Sequence, residues 1–156
     1  MNSCETIAGS VADHALRLCP IAKRLRFLYV DDSEFVSQAI CSILINKGWD
    51  CKSATSGNAA LQCLTSSPES IDILITDHQM PEMSGLEFVR KVRTTAYTGK
   101  ILVHSTMLHG EVRAAYEELE VDAIVPKTGN PQLFLKAIQE LQHDKSFAAN
   151  KETNEM

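Results

Sequence analysis

No apolar run in this chain is longer than a strand, so nothing in it reads as a membrane-spanning helix. Its start carries no compact apolar stretch behind a basic segment, and no signal peptide is expected. Positive charge is in short supply. Fifteen Lys and Arg face twenty Asp and Glu, a formal net charge of −5, which argues against the basic patch of a nucleic-acid-binding surface. There is one Trp, and no long repeat or low-complexity block. The five cysteines (Cys4, Cys19, Cys41, Cys51 and Cys63) include no close C-x-x-C pair, and that spread predicts reduced thiols in a cytoplasmic protein. What remains is ordinary for a globular chain. With 156 residues, 44% hydrophobic and 22% charged, it is long enough for one domain with a real core.

Residues 1–23 precede the first clear strand. Ile7, Val11, Ala15 and Leu18 fall at helical spacing, which fits either a short amphipathic helix or a loosely attached extension. Residues 25–30 read as a strand ending at Asp31-Asp32, and Ser33 caps the helix that follows, with Glu34 in its first turn. Gly48 ends that helix. A second strand spans 49–54, Ser56 caps a second helix, and Ser66-Ser67-Pro68 forms a loop. Ile71-Asp72-Ile73-Leu74-Ile75-Thr76 is an apolar run suited to a strand buried on both faces, and it ends in the carboxylate of Asp77. Ser84 and Glu87 then stand at capping-box spacing and open a helix over 85–93. A fourth strand (100–105), a helix (111–119), a fifth strand (121–125) and a last helix introduced by Asn130-Pro131 follow; the polar tail from 143 is expected to be disordered. Five strand–helix alternations predict an α/β fold: a doubly wound, five-stranded parallel sheet with helices on both faces.

In such sheets ligands bind at the carboxyl edge. The residues expected there are Asp31 and Asp32 after the first strand, Asp77 after the third, Ser105 ending the fourth and Lys127 after the fifth. Three carboxylates gathered together repel and need a cation; an all-oxygen set suits Mg²⁺. A carboxylate can act as nucleophile and form an aspartyl phosphate, with a lysine and a hydroxyl to neutralise and hold the phosphoryl oxygens.

With Val30-Asp31-Asp32-Ser33, Thr76-Asp77-His78-Gln79-Met80-Pro81-Glu82-Met83-Ser84-Gly85, Ser105 and Lys127 in this order, the chain resembles the receiver domain of two-component response regulators, in particular stand-alone, chemotaxis-regulator-like ones. The resemblance covers about residues 25–141. It implies a flavodoxin-like strand order, 2-1-3-4-5, with a receiver domain over 24–142 between an extension (1–23) and a tail (143–156). It implies Asp77 as phosphoacceptor and Asp32 as direct Mg²⁺ ligand, with Asp31 acting mainly through a bound water. The Gln79 backbone carbonyl would complete the metal's protein ligands. Ser105 would be the switch hydroxyl and Lys127 the counter-charge. The phosphoryl donor would be a histidine kinase or histidine phosphotransfer protein. Output would go to a further, unnamed protein partner, with homodimer formation left open. The domain would be a cytoplasmic signalling module rather than an enzyme, assisting only its own phosphotransfer and dephosphorylation.

Two departures from the family bear on output. Thr128, not proline, follows Lys127, and a non-proline cis bond costs roughly 3 kcal/mol, which leaves open a trans Lys127–Thr128 bond with a reshaped loop. Ile124 stands where the family often carries a rotating aromatic, so ring rotation should be absent. These departures motivate an alternative: a receiver-fold interaction module that no longer responds to phosphorylation. An aspartyl-phosphate hydrolase of the dehalogenase type is disfavoured because Gln79 sits where a second Asp is needed. His78 reads as a half-exposed loop histidine without chemistry, and His104 as a packed, hydrogen-bonded strand histidine.

Overall fold

The computed structural model describes residues 24–144. Five strands, β1 (Arg26–Val30), β2 (Asp50–Ala54), β3 (Ile73–Thr76), β4 (Lys100–Ser105) and β5 (Ala123–Pro126), form one parallel sheet in the order β2-β1-β3-β4-β5. The helices are α1 (Glu34–Asn46), α2 (Gly57–Ser66), α3 (Gly85–Val92), α4 (Gly110–Glu118) and α5 (Gln132–His143), and a 3₁₀ turn occupies Pro68–Ser70. None of the described helices is long and apolar enough to cross a membrane. The expected helix within 1–23 and the tail from 145 lie outside the described residues; α5 itself runs through His143.

Strand alternation sorts the core into two layers. Leu28, Val30, Leu74, Ile101 and Val103 point to one side and meet Ala60 and Leu64 of α2, Phe88, Val89 and Val92 of α3, and Tyr116 of α4. Phe27, Tyr29, Ile73, Ile75 and Leu102 point to the other and meet Cys41 and Leu44 of α1 and Phe134, Leu135, Ile138 and Leu141 of α5. β3 is buried along its whole length because it lies at the centre of the sheet with helices on both faces. β2, at an edge, is mostly exposed and correspondingly polar.

The predicted caps hold their helices. Ser33 accepts from the Val36 N–H and Ser56 from the Ala59 N–H, and Ser84 and Glu87 form a reciprocal capping box. The two hydrogen bonds that Glu87 makes with Ser84 hold its carboxyl below the usual carboxylate range. Gly48, just past α1, sits at φ +86°, a conformation glycine adopts without cost. Element ends differ from expectation by one or two residues. α4 begins at Gly110, and β5 covers Ala123–Pro126, because its pairing with β4 starts at Ala123 opposite Leu102. The last helix is headed by Pro131, while Asn130 Oδ1 still accepts the Gln132 N–H at 3.0 Å.

The expectation of reduced thiols is corrected for two residues. Cys41 of α1 and Cys51 of β2 are joined in a disulfide, their Cα atoms 5.4 Å apart. The turn through Gly48 reverses the chain and lays α1 along β2, a proximity that no C-x-x-C spacing signals. Cys63 is a free, exposed thiol.

Candidate functional site

Because all five strands run the same way, their last residues meet at one edge. The backbone ladder continues one residue past the strands. Asp31 N–H donates to Ala54 O (3.1 Å), Asp77 N–H to Val30 O (2.9 Å) and Lys127 N–H to Ser105 O (2.7 Å). These bonds set the three side chains rigidly at the sheet's rim rather than on free loops. One polar pocket results. Asp31 is 1% exposed and Asp77 7%, whereas Asp32 faces solvent. Oxygens of Asp31, Asp32 and Asp77 all lie within 4.8 Å of one another.

Lys127 bridges two of these carboxylates. Its Nζ lies 2.5 Å from Asp31 Oδ2 and 3.1 Å from Asp77 Oδ2. The other oxygens are held by backbone donors: Asp31 Oδ1 accepts the Ser33 N–H (2.8 Å) and Asp77 Oδ1 the His78 N–H (2.7 Å). Burial pulls the Lys127 ammonium toward neutrality, but the hydrogen bonds it donates to Asp31 and Asp77 outweigh it, and its pKa is raised. One ammonium against three carboxylates still leaves an excess of negative charge. The donors are all oxygen, a set that fits a hard divalent cation such as Mg²⁺.

Ser105 is buried at the end of β4, its carbonyl tied to Lys127. Gln79 is exposed on the loop leaving Asp77. Among the described hydrogen bonds and ion pairs, none joins either side chain to the carboxylates. The described peptide bonds include no cis bond, so Lys127–Thr128 is trans. Ile124 packs, half-buried, against the α2–α3–α4 core layer.

His104 and His78 each have a tyrosine hydroxyl as partner. His104 is the packed strand histidine expected: it is buried, with Nδ1 2.9 Å from the Tyr29 hydroxyl and its ring against Phe134. Burial, then the nearby Lys127 charge, pulls its pKa down to about 4, so it is neutral at pH 7. His78 lies, as expected, half-buried on the loop after β3, and the structure adds a partner for its ring. Its Nδ1 is 2.8 Å from the hydroxyl of Tyr116, with the two rings edge to face. Tyr116 is fully buried on α4, and burial, then the negative charge of Asp77, raises its pKa, so it keeps its proton. In sequence, Tyr116 is one aromatic residue in an amphipathic helix, with nothing beside it to signal a role at the site.

Three comparisons bear on identity. The pattern of the response regulator receiver domain matches residues 27–139. This chain belongs to the response regulator receiver domain family. Among relatives, the two-component response regulator ORR11 of Oryza sativa is 38% identical over 76 residues, covering 49% of this chain and 51% of the relative. A chemotaxis protein CheY homolog of Campylobacter jejuni is 43% identical over 70 residues, covering 44% and 53%. The chain thus spans about half the length of the curated relatives it matches. Among solved structures, chemotaxis protein CheY4 of Vibrio cholerae superposes with a TM-score of 0.70 at 28% identity, covering 76% of this receiver and 98% of that chain. Response regulator TrrA of Thermotoga maritima, solved in complex with Mg(2+)-BeF, gives a TM-score of 0.66 at 26% identity, covering 75% and 98%.

Proposed function

We propose that this receiver takes a phosphoryl group onto Asp77 from a histidine kinase or histidine phosphotransfer protein and thereby switches its binding to a downstream protein. The observation that carries this reading is the placement of the Lys127 ammonium 3.1 Å from the Asp77 carboxylate, inside a cluster of three acidic side chains. An Asp77 oxygen attacks the phosphorus of a phosphohistidine. The new P–O bond forms as the P–N bond breaks, and the electron pair returns to the imidazole nitrogen of the donor. Asp31, Asp32, Asp77 and the Gln79 carbonyl would hold Mg²⁺, which when bound neutralises charge on the phosphoryl oxygens. Lys127 pairs with the transferred group, and the Ser105 hydroxyl donates a hydrogen bond to one of its oxygens. The module turns over no substrate other than its own acyl phosphate. A cytoplasmic setting, where such kinases present their phosphohistidine, suits this role, and its reducing poise would hold Cys41 and Cys51 as thiols.

Treatment with acetyl phosphate and Mg²⁺ tests the assignment. The wild-type chain should gain base-labile phosphate and Asp77→Asn should not; equal labelling of both would remove Asp77 as acceptor. A second reading, an interaction module indifferent to phosphate, draws support from Ile124 and from the trans bond after Lys127. It predicts no Mg²⁺ binding at millimolar concentration, which a calorimetric titration measures.

A further inference from the structure

We propose that His78 and Tyr116 form a positioning pair that couples the state of Asp77 to helix α4; the inference rests on Asp77 being the phosphoacceptor. His78 touches both ends of this path. Its backbone N–H donates to Asp77 Oδ1 at 2.7 Å, and its ring Nδ1 lies 2.8 Å from the Tyr116 hydroxyl. Tyr116 has no exposed surface, so its ring moves only with α4 or by repacking the core around it.

Gly85 closes the path. Its N–H donates to the His78 carbonyl at 2.8 Å. A Cβ at Gly85 would collide with the Asp77 carbonyl oxygen and would lie 2.7 Å from the Tyr116 hydroxyl. Loop and helix are therefore in contact with no room for a side chain between them. Chemistry at Asp77 reaches His78 directly. The His78 N–H now donates to a charged carboxylate, and a charge-assisted hydrogen bond is roughly twice as strong as a neutral one. Once the carboxylate becomes an acyl phosphate, the oxygen left to accept from His78 carries no formal charge. The peptide is freed to shift, and the ring on the same residue carries the shift to Tyr116. Ile124 offers no ring on β5, whereas the acceptor loop and α4 meet through two rings, edge to face.

The test loads the full chain with Mg²⁺ and beryllofluoride, a non-transferable stand-in for the acyl phosphate, and follows amide hydrogen exchange over α4. Acetyl phosphate labelling is measured in parallel. In the wild type, α4 exchange should change several-fold on loading. Tyr116→Phe, which removes only the hydroxyl, should keep Asp77 labelling and lose the α4 response. His78→Leu should do the same and covers the case in which Tyr116→Phe folds poorly. His78→Gln, whose amide can still partner the tyrosine hydroxyl, should retain the response. A role confined to stability would shift the melting temperature and leave the loaded-minus-free difference at α4 intact. Full α4 response in both Tyr116→Phe and His78→Leu would overturn the pair, as would a wild-type α4 that does not respond while Asp77 is labelled. Failure of the wild type to label at all would strike the acceptor assignment itself, and the coupling with it.

Discussion

Lys127 Nζ and Asp31 Oδ2 lie 2.5 Å apart although 96 positions separate them in the chain. The carboxylate of this pair is almost wholly buried, and the amine is partly so. Removing one partner of such a pair leaves the other charge uncompensated, at a cost of about 3 kcal/mol. Lys127→Met should therefore lower the urea midpoint markedly. It should also slow labelling of Asp77 by acetyl phosphate. An unchanged midpoint would mean that water already compensates Asp31.

Asp32 is the exposed member of the acidic cluster, and its charge adds repulsion to two carboxylates already sharing one lysine. Asp32→Asn should raise the melting temperature in EDTA. Mg²⁺ at ten times its dissociation constant should stabilise the wild type by about 1.4 kcal/mol and should leave Asp32→Asn nearly unmoved. Thermal melts with and without the ion check both halves.

His104 makes stability fall in mild acid. Its folded pKa is lowered from 6.5 to about 4, so between these values the unfolded chain binds a proton that the folded chain refuses. Stability present above pH 6.5 is lost as pH falls toward 4, by on the order of 3 kcal/mol for this group alone. His104→Gln keeps a partner for the Tyr29 hydroxyl and does not titrate. Its denaturation midpoint should be flatter across this window than that of the wild type.

The Cys41–Cys51 bond should protect both thiols from alkylation in non-reducing denaturant while Cys63 reacts, and adding a thiol reductant to the denatured chain should make all three reactive. Closing a loop of this size contributes roughly 3 kcal/mol in the chain-entropy account. The double variant Cys41→Ser/Cys51→Ser should be less stable by about that amount, and the wild type in reductant should match it. Peptide mapping after alkylation and urea titration report the two effects separately.

The strands, the helices and the rim of polar residues were legible in the sequence because each rests on a short-range cause. Ser33, Ser56 and the Ser84–Glu87 box cap by hydrogen bonds that span three residues, and β3 announces itself by four consecutive apolar or β-branched residues. Parallel winding then sends every strand end to one edge, so Asp31, Asp32, Asp77 and Lys127 could be grouped without coordinates. Only the tertiary structure decided that His78 meets Tyr116, that Tyr29 meets His104 and that Cys41 meets Cys51. Each of these pairs joins two elements. Their meeting depends on helix rotation and on which residues of neighbouring strands stand opposite one another. Local periodicity records neither of these, because a histidine or tyrosine on an apolar face looks the same whether it fills space or holds a partner.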